Sequence, residues 1–265
     1  MMEKVLFGRY VPADSLLHRM DPRSKLIIIF LYVCIVFLAN NPWTYLILAA
    51  YTILMAGLSK IAPRFLIAGL KPVLWLVLFT LLLHLFFTKG GEPVVQLGSF
   101  AIYEEGIRQG IFISLRFLLL IVVTSLLTLT TTPIEITDGL ESLLGPLKKV
   151  NFPVHELALM MSISLRFIPT LMQETDKIMK AQMARGVEYT SGPIKDRLKA
   201  IVPLLIPLFI SSFKRAEELA IAMEARGYRG GVGRTKYRQL NWTFADTGMI
   251  LLLAAVTLLL IVFRG

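Results

Sequence analysis

Two arginines, Arg185 and Arg226, stand 41 residues apart in one repeated pattern: Ala181-Gln182-Met183-Ala184-Arg185-Gly186 and Ala222-Met223-Glu224-Ala225-Arg226-Gly227. The chemistry available to such a pattern is recognition. A guanidinium is planar, always charged, and can hold a carboxylate with two parallel hydrogen bonds. Alanines at i and i+3 share one helix face and let another surface approach closely. A glycine directly after the arginine lets the chain turn left-handed, so the helix stops where the cation projects. Two readings of one copy stand side by side: an ordinary capped helix with a solvated arginine, or a tip that docks on another surface. The second copy, with Ala, Ala, Arg and Gly in the same places, favours docking.

Residues for bond-making chemistry are sparse. His18, His84 and His155 are too scattered in sequence to suggest a ligand set, and Cys34, the single cysteine, lies inside an apolar run, so neither a disulfide framework nor a zinc site is expected. The carboxylates Glu135, Asp138, Glu141, Glu174 and Asp176 are dispersed along segments where they read as solvated helix faces. Neither GxxxxGK[ST] nor GxGxxG occurs, and the basic, glycine-rich stretch from Gly227 to Arg238 reads as a flexible link. No metal and no cofactor are expected.

The elements that position the arginines follow from hydropathy. With 55% hydrophobic and only 17% charged residues, the chain is an integral membrane protein. Its net charge of +10 would suit nucleic acid. The basic residues flank apolar spans, however, which points to membrane orientation and anionic headgroups and away from nucleic acid. The first 25 residues are polar and carry both signs of charge, unlike a cleavable signal peptide.

Asp21-Pro22 predicts a helix start, a cap followed by a first-turn proline, leading into an apolar run from Leu26 to Ala39. Tyr45 to Leu58, Leu66 to Phe87, Gly106 to Leu129 and Met249 to Phe263 complete about five spans. Between the third and fourth, Val94, Val95, Leu97, Phe100 and Ile102 suggest a short hairpin. Arg116 falls within the fourth span. It is either a charge that faces protein inside the bilayer or a cation snorkelling from a tilted helix.

From Thr132 the character changes. Pro133 to Leu147 reads as a short amphipathic helix, followed by two long helices, Pro153 to Arg185 and Pro193 to Arg226, each with an apolar and then a charged half. The first contains Ser164-Leu165-Arg166-Phe167-Ile168-Pro169. The apolar half of the second, Ala200 to Phe213, is short and holds Pro203 and Pro207, so the pair is expected to lie along the membrane. The fold class is therefore all-α, with about five transmembrane helices and a cytoplasmic or interfacial insert of long helices before the last span. The divisions are 1–131 (four spans), 132–240 (the insert) and 241–265 (the last span).

Lysine and arginine counts orient the chain. The segment through Lys25 has five and the second link two, whereas the first link has none. Residues 133–245 carry sixteen, against two around the third link. The N-terminus and the insert are therefore expected in the cytoplasm and the C-terminus outside.

This plan resembles the transmembrane T component of energy-coupling-factor transporters, over nearly the whole chain. The paired tips, Ala184-Arg185-Gly186 and Ala225-Arg226-Gly227, carry the resemblance. Leu17 to Leu26, with Asp21-Pro22-Arg23, and the segment around Arg166 support it. The resemblance implies a scaffold in the plasma membrane that joins two ATP-binding-cassette ATPase subunits to a substrate-binding membrane subunit. Each tip would enter a groove on one ATPase, with Arg185 and Arg226 as anchors. Apart from the resemblance, Arg116 and Arg166 are candidates for an intramembrane or packing role. The resemblance also implies import of a vitamin or metal ion chosen by another chain, with ATP hydrolysis in the partners. Two rivals remain at this level: a stand-alone secondary transporter, which the lack of Asp and Glu within the spans disfavours, and a membrane-embedded enzyme.

Overall fold

A computed structural model describes residues 10–97, 100–189, 193–230 and 239–264. Apart from one hairpin, its regular structure is helical: α1 (Leu16–Arg19), α2 (Pro22–Val36), α3 (Pro42–Ser59), α4 (Pro63–Phe87), β1 (Pro93–Leu97), β2 (Phe100–Tyr103), α5 (Glu104–Thr130), α6 (Pro133–Leu143), α7 (Val154–Ala184), α8 (Ile194–Ala225) and α9 (Phe244–Phe263). Two compact units result, Met1–Leu143 with Gln239–Gly265, and Leu144–Arg238.

In the first unit α2 starts as its sequence dictates. The Asp21 carboxylate accepts the Arg23 N–H at 2.8 Å, and Pro22 occupies the first turn, where a missing N–H costs nothing. The helix ends at Val36. Its 15 residues give it a length of about 22 Å, short of the ~30 Å hydrocarbon core. Leucines and tyrosines of three helices close around it. Ile28, Tyr32, Leu48, Leu253 and Leu260 are fully buried. The Tyr32 and Thr52 hydroxyls hydrogen-bond at 2.7 Å, so each serves the other within the apolar core.

Helices α4 and α5 pack through small residues. A Cβ on Gly106 would lie 2.8 Å from the His84 carbonyl oxygen, and one on Gly110 would lie 3.4 Å from the His84 Cβ. The missing side chains let the two backbones meet, as expected where lipid offers no hydrophobic drive for association. The rest of α4 is open, with Trp75, Phe79 and Phe87 exposed as on a lipid-facing surface. The expected hairpin forms, with Gln96 opposite Ala101 and Leu97 opposite Phe100.

The amphipathic helix is shorter than its sequence suggests. α6 stops at Leu143, and Gly145–Val150 continues as a 3-10 turn because Pro146 supplies no N–H for the α-helical ladder. α6 packs on α2: a Cβ on Gly139 would lie 3.1 Å from the Leu26 side chain and 3.2 Å from that of Pro22.

Five described helices are long and apolar enough to cross a membrane: α3, α4, α5, α7 and α9. The number agrees with the sequence expectation, but the membership differs. α2 is too short by itself, because the helix stops at Val36, three residues before the apolar run ends at Ala39. α7 qualifies because its continuous helix carries enough apolar residues around Ser162, Ser164 and Arg166 to fill a span-length window.

Candidate functional site

In the second unit, α7 and α8 form an antiparallel pair. Gln182 near the end of α7 donates to the Pro203 carbonyl at 3.4 Å. Further back on α7, Glu174 accepts from Arg215 at 3.1 Å and from the Ser211 hydroxyl. Rising numbers on one helix thus meet falling numbers on the other. The Arg215 guanidinium also lies 5.9 Å from the centre of the Phe167 ring, within cation–π range.

Both helices run unbroken through their internal prolines, Pro169 in α7 and Pro203 and Pro207 in α8. A proline removes the N–H that would serve the carbonyl four residues earlier. For Pro207 that carbonyl belongs to Pro203, and Gln182 of the facing helix supplies the missing donor.

The two tips close in the same way. α7 gives way to Arg185 and α8 to Arg226, each with φ −87° and ψ 6°. Gly186 and Gly227 follow at φ +88° and +75°, in the left-handed region that a Cβ disfavours. The Val187 N–H returns to the Gln182 carbonyl and the Gly186 N–H to that of Met183, both at 3.0 Å. At the second tip the Tyr228 N–H reaches Met223 at 3.0 Å and the Gly227 N–H reaches Glu224 at 2.8 Å. Each end is a Schellman motif, which satisfies carbonyls that a helix terminus leaves open. Space around either glycine is open, so backbone conformation alone requires it. Ala184, Arg185, Gly186, Ala225, Arg226 and Gly227 are all exposed.

Because the pair is antiparallel, its tips sit at opposite ends. Arg226 shares a groove with Leu159, near the start of α7, whereas Arg185 follows the end of α7. The 26 residues from Leu159 to Arg185 correspond to about 39 Å of helix. Two equivalent cations are thus presented far apart by one stiff element. The groove at the second tip encloses about 610 Å³, and Arg166, exposed on α7, lines it.

Arg116 lies in the first unit. Its guanidinium donates to the Ala39 carbonyl at 3.2 Å and lies 5.1 Å from the centre of the Phe37 ring, just past the carboxyl end of α2. Ala39 lies three residues past the end of α2, and the guanidinium gives its carbonyl a charged donor. Sequence reasoning missed one further group. The Asp246 carboxylate, fully buried, accepts the Asp21 N–H at 2.9 Å, the Thr243 N–H at 2.7 Å and hydroxyls from Thr243 and Ser24. It ties the start of α9 to the start of α2. Beside it, Arg23 pairs with Asp21 at 2.8 Å and donates to the Leu240 carbonyl at 3.1 Å. Upstream, the Arg19 guanidinium is hydrogen-bonded to Asp14 at 2.8 Å and holds that carboxyl below its usual range. The stretch 231–238 of the expected glycine-rich link lies outside the described residues.

Comparison with known proteins places this geometry in a family. A family model described as cobalt transport protein (CbiQ) matches residues 13–237. An energy-coupling factor transporter transmembrane protein, EcfT, of Bacillus subtilis is 66% identical over 265 residues, covering all of both chains. Proteins of the same name from Listeria innocua and Streptococcus thermophilus are 59% and 50% identical over 265 and 264 residues, again at full coverage of both. The chain is a multi-pass membrane protein that belongs to the family of energy-coupling factor transporter transmembrane proteins, the T components.

Proposed function

We propose that the chain couples two ATP-binding-cassette ATPase subunits to a small substrate-binding membrane subunit, with Arg185 docking on one ATPase and Arg226 on the other. The region 132–240 is then the cytoplasmic coupling region, 1–131 the first four spans and 241–265 the last. The N-terminus lies inside and the C-terminus outside the plasma membrane. Hydrolysis of ATP occurs in the partners. Closure of the ATPase pair moves the two tips, and the scaffold passes that motion to the subunit that carries a vitamin or metal ion.

One observation carries this reading. Two exposed arginines with the same backbone conformation close opposite ends of an antiparallel pair. A separation of about 39 Å is too great for one contact to engage both, and suits one contact per ATPase. The alanines Ala184 and Ala225 leave each guanidinium room to enter a groove.

The test is a conservative substitution. A cation that only complements a helix end is worth about 0.3 to 1 kcal/mol, and lysine supplies one too. A desolvated planar pair is lost on substitution by lysine, and truncating it costs roughly 2 to 5 kcal/mol of association. Arg185→Lys and Arg226→Lys are each expected to leave a folded, inserted chain that binds the ATPases weakly or uncouples hydrolysis from uptake. The double Arg→Ala variant loses the complex, because two linked contacts vanish together. Full co-purification of the ATPases with normal uptake by the double variant overturns the reading.

A further inference from the structure

The two tips share a backbone, but the second opens onto the groove of about 610 Å³ between α7 and α8. Ile163, Leu219 and Met223 give it a half-buried apolar floor, and Arg166, Arg226 and Arg229 add three exposed guanidiniums. No carboxylate is among the described residues that line it. Neither does any of the three arginines have a side-chain partner among the described residues, whereas Arg19, Arg23 and Arg215 are each paired with an acid. Three like charges around one concavity repel each other, and a ligand that brings negative charge relieves that repulsion.

We infer that this groove receives an acidic segment of the ATPase docked at the second tip, in which an apolar side chain is flanked by carboxylates. This rests on the reading under Proposed function. The apolar residue covers Ile163, Leu219 and Met223, while the carboxylates pair with Arg226 and with Arg166 or Arg229. Arg166, 60 residues before Arg226 in sequence, thereby becomes a binding residue of the second tip.

Charge on the adjoining helix favours a protein segment over an anionic bilayer. Glu217, Glu218 and Glu224 are exposed on the last part of α8 and would repel a sheet of phosphate headgroups. A folded partner can meet the arginines with acids and the glutamates with bases. The volume also falls in the range of built binding pockets, on the order of 300 to 1,000 Å³.

A double-mutant cycle tests this, with the full-length chain in nanodiscs and its purified partner ATPases. Arg166→Gln is expected to weaken ATPase binding about tenfold and to flatten its salt dependence, with Arg166→Lys recovering part of the loss. Arg166→Gln combined with Arg226→Gln should cost less than the product of the two single effects, because both act in one groove. Combined with Arg185→Gln at the far tip, the effects should multiply. If Arg166→Gln reduces the yield of folded chain, Arg229→Gln reads the same groove from beyond the helix. Weakening by Arg226→Gln, with Arg166→Gln and Arg229→Gln at full affinity, overturns the groove and leaves the tip reading standing. Full affinity in the Arg226→Gln variant as well overturns both. Intact ATPase affinity, with loss of binding to phosphatidylglycerol vesicles, overturns the proposal in favour of lipid.

Discussion

Gln182 serves the Pro203 carbonyl of the facing helix, an acceptor that Pro207 deprives of its own helical donor. The same residue accepts the Val187 N–H through its main chain at 3.0 Å. One residue therefore links the closure of the first tip, through its main chain, to the packing of α7 on α8, through its side chain. Gln182→Leu is expected to destabilise the pair by about 1 kcal/mol, the cost of an unserved, partly buried acceptor. In a Pro207→Ala background the carbonyl regains its helical partner, and the same substitution should cost markedly less. Thermal unfolding in detergent reads both; equal losses in the two backgrounds would refute the link.

Gly186 and Gly227 are held at positive φ in open space, so a side chain there meets strain and no clash. Substitution by alanine should cost about 1 kcal/mol each, by asparagine less, and by valine more. The order is the diagnostic, since a packing role would rank the three by size alone. Helix-end fraying, followed by amide hydrogen exchange at Val187 and Tyr228, checks it.

The sequence carried the local grammar well. Asp21-Pro22 as a helix start, the hairpin and both tips all depend on residues within a few positions of one another, and all appear where expected. Longer-range relations were beyond that grammar. Asp246 opens an apolar span and bonds Asp21, 225 residues away, so no periodicity marks it. Nor could spacing show that Arg116 reaches the carbonyl end of α2, because that depends on where α2 stops in depth. For α7, the continuous helix and its apolar first half were legible, but the polar residues within that half masked an apolar window long enough to cross a membrane.

Asp246 should be intolerant of even an isosteric change. Its carboxylate accepts four hydrogen bonds, and an amide in its place turns two of its positions toward donors. Asp246→Asn is expected to cost about 2 to 3 kcal/mol, in the range for hydrogen bonds to a charged group. Lower thermal stability in detergent is the readout, together with faster proteolysis near Leu240, whose carbonyl is held by Arg23 beside this cluster. Unchanged stability would show that the cluster is solvated in the membrane-bound protein.

Which helices cross the bilayer is decided by labelling, since α2 and α7 compete for one place among the five. Under the positive-inside orientation, α2 crosses as a short helix sheltered by protein, and both α7 and α8 stay at the inner face. Arg116 fits the crossing of α2, because its bond to Ala39 gives the turn that follows this short helix a donor from within the protein. In a background lacking Cys34, cysteines at Asn40 and Trp43 should react with an impermeant reagent from outside. Those at Met161 in α7 and Ile210 in α8, exposed on their helices, should not. A reporter fused to the C-terminus should read as external, and one placed in the α7–α8 connection as cytoplasmic. External labelling at Met161 with none at Asn40 would exchange α7 for α2. The span count would stay at five, but the two tips would then lie at different depths, and one cytoplasmic ATPase pair could not reach both arginines.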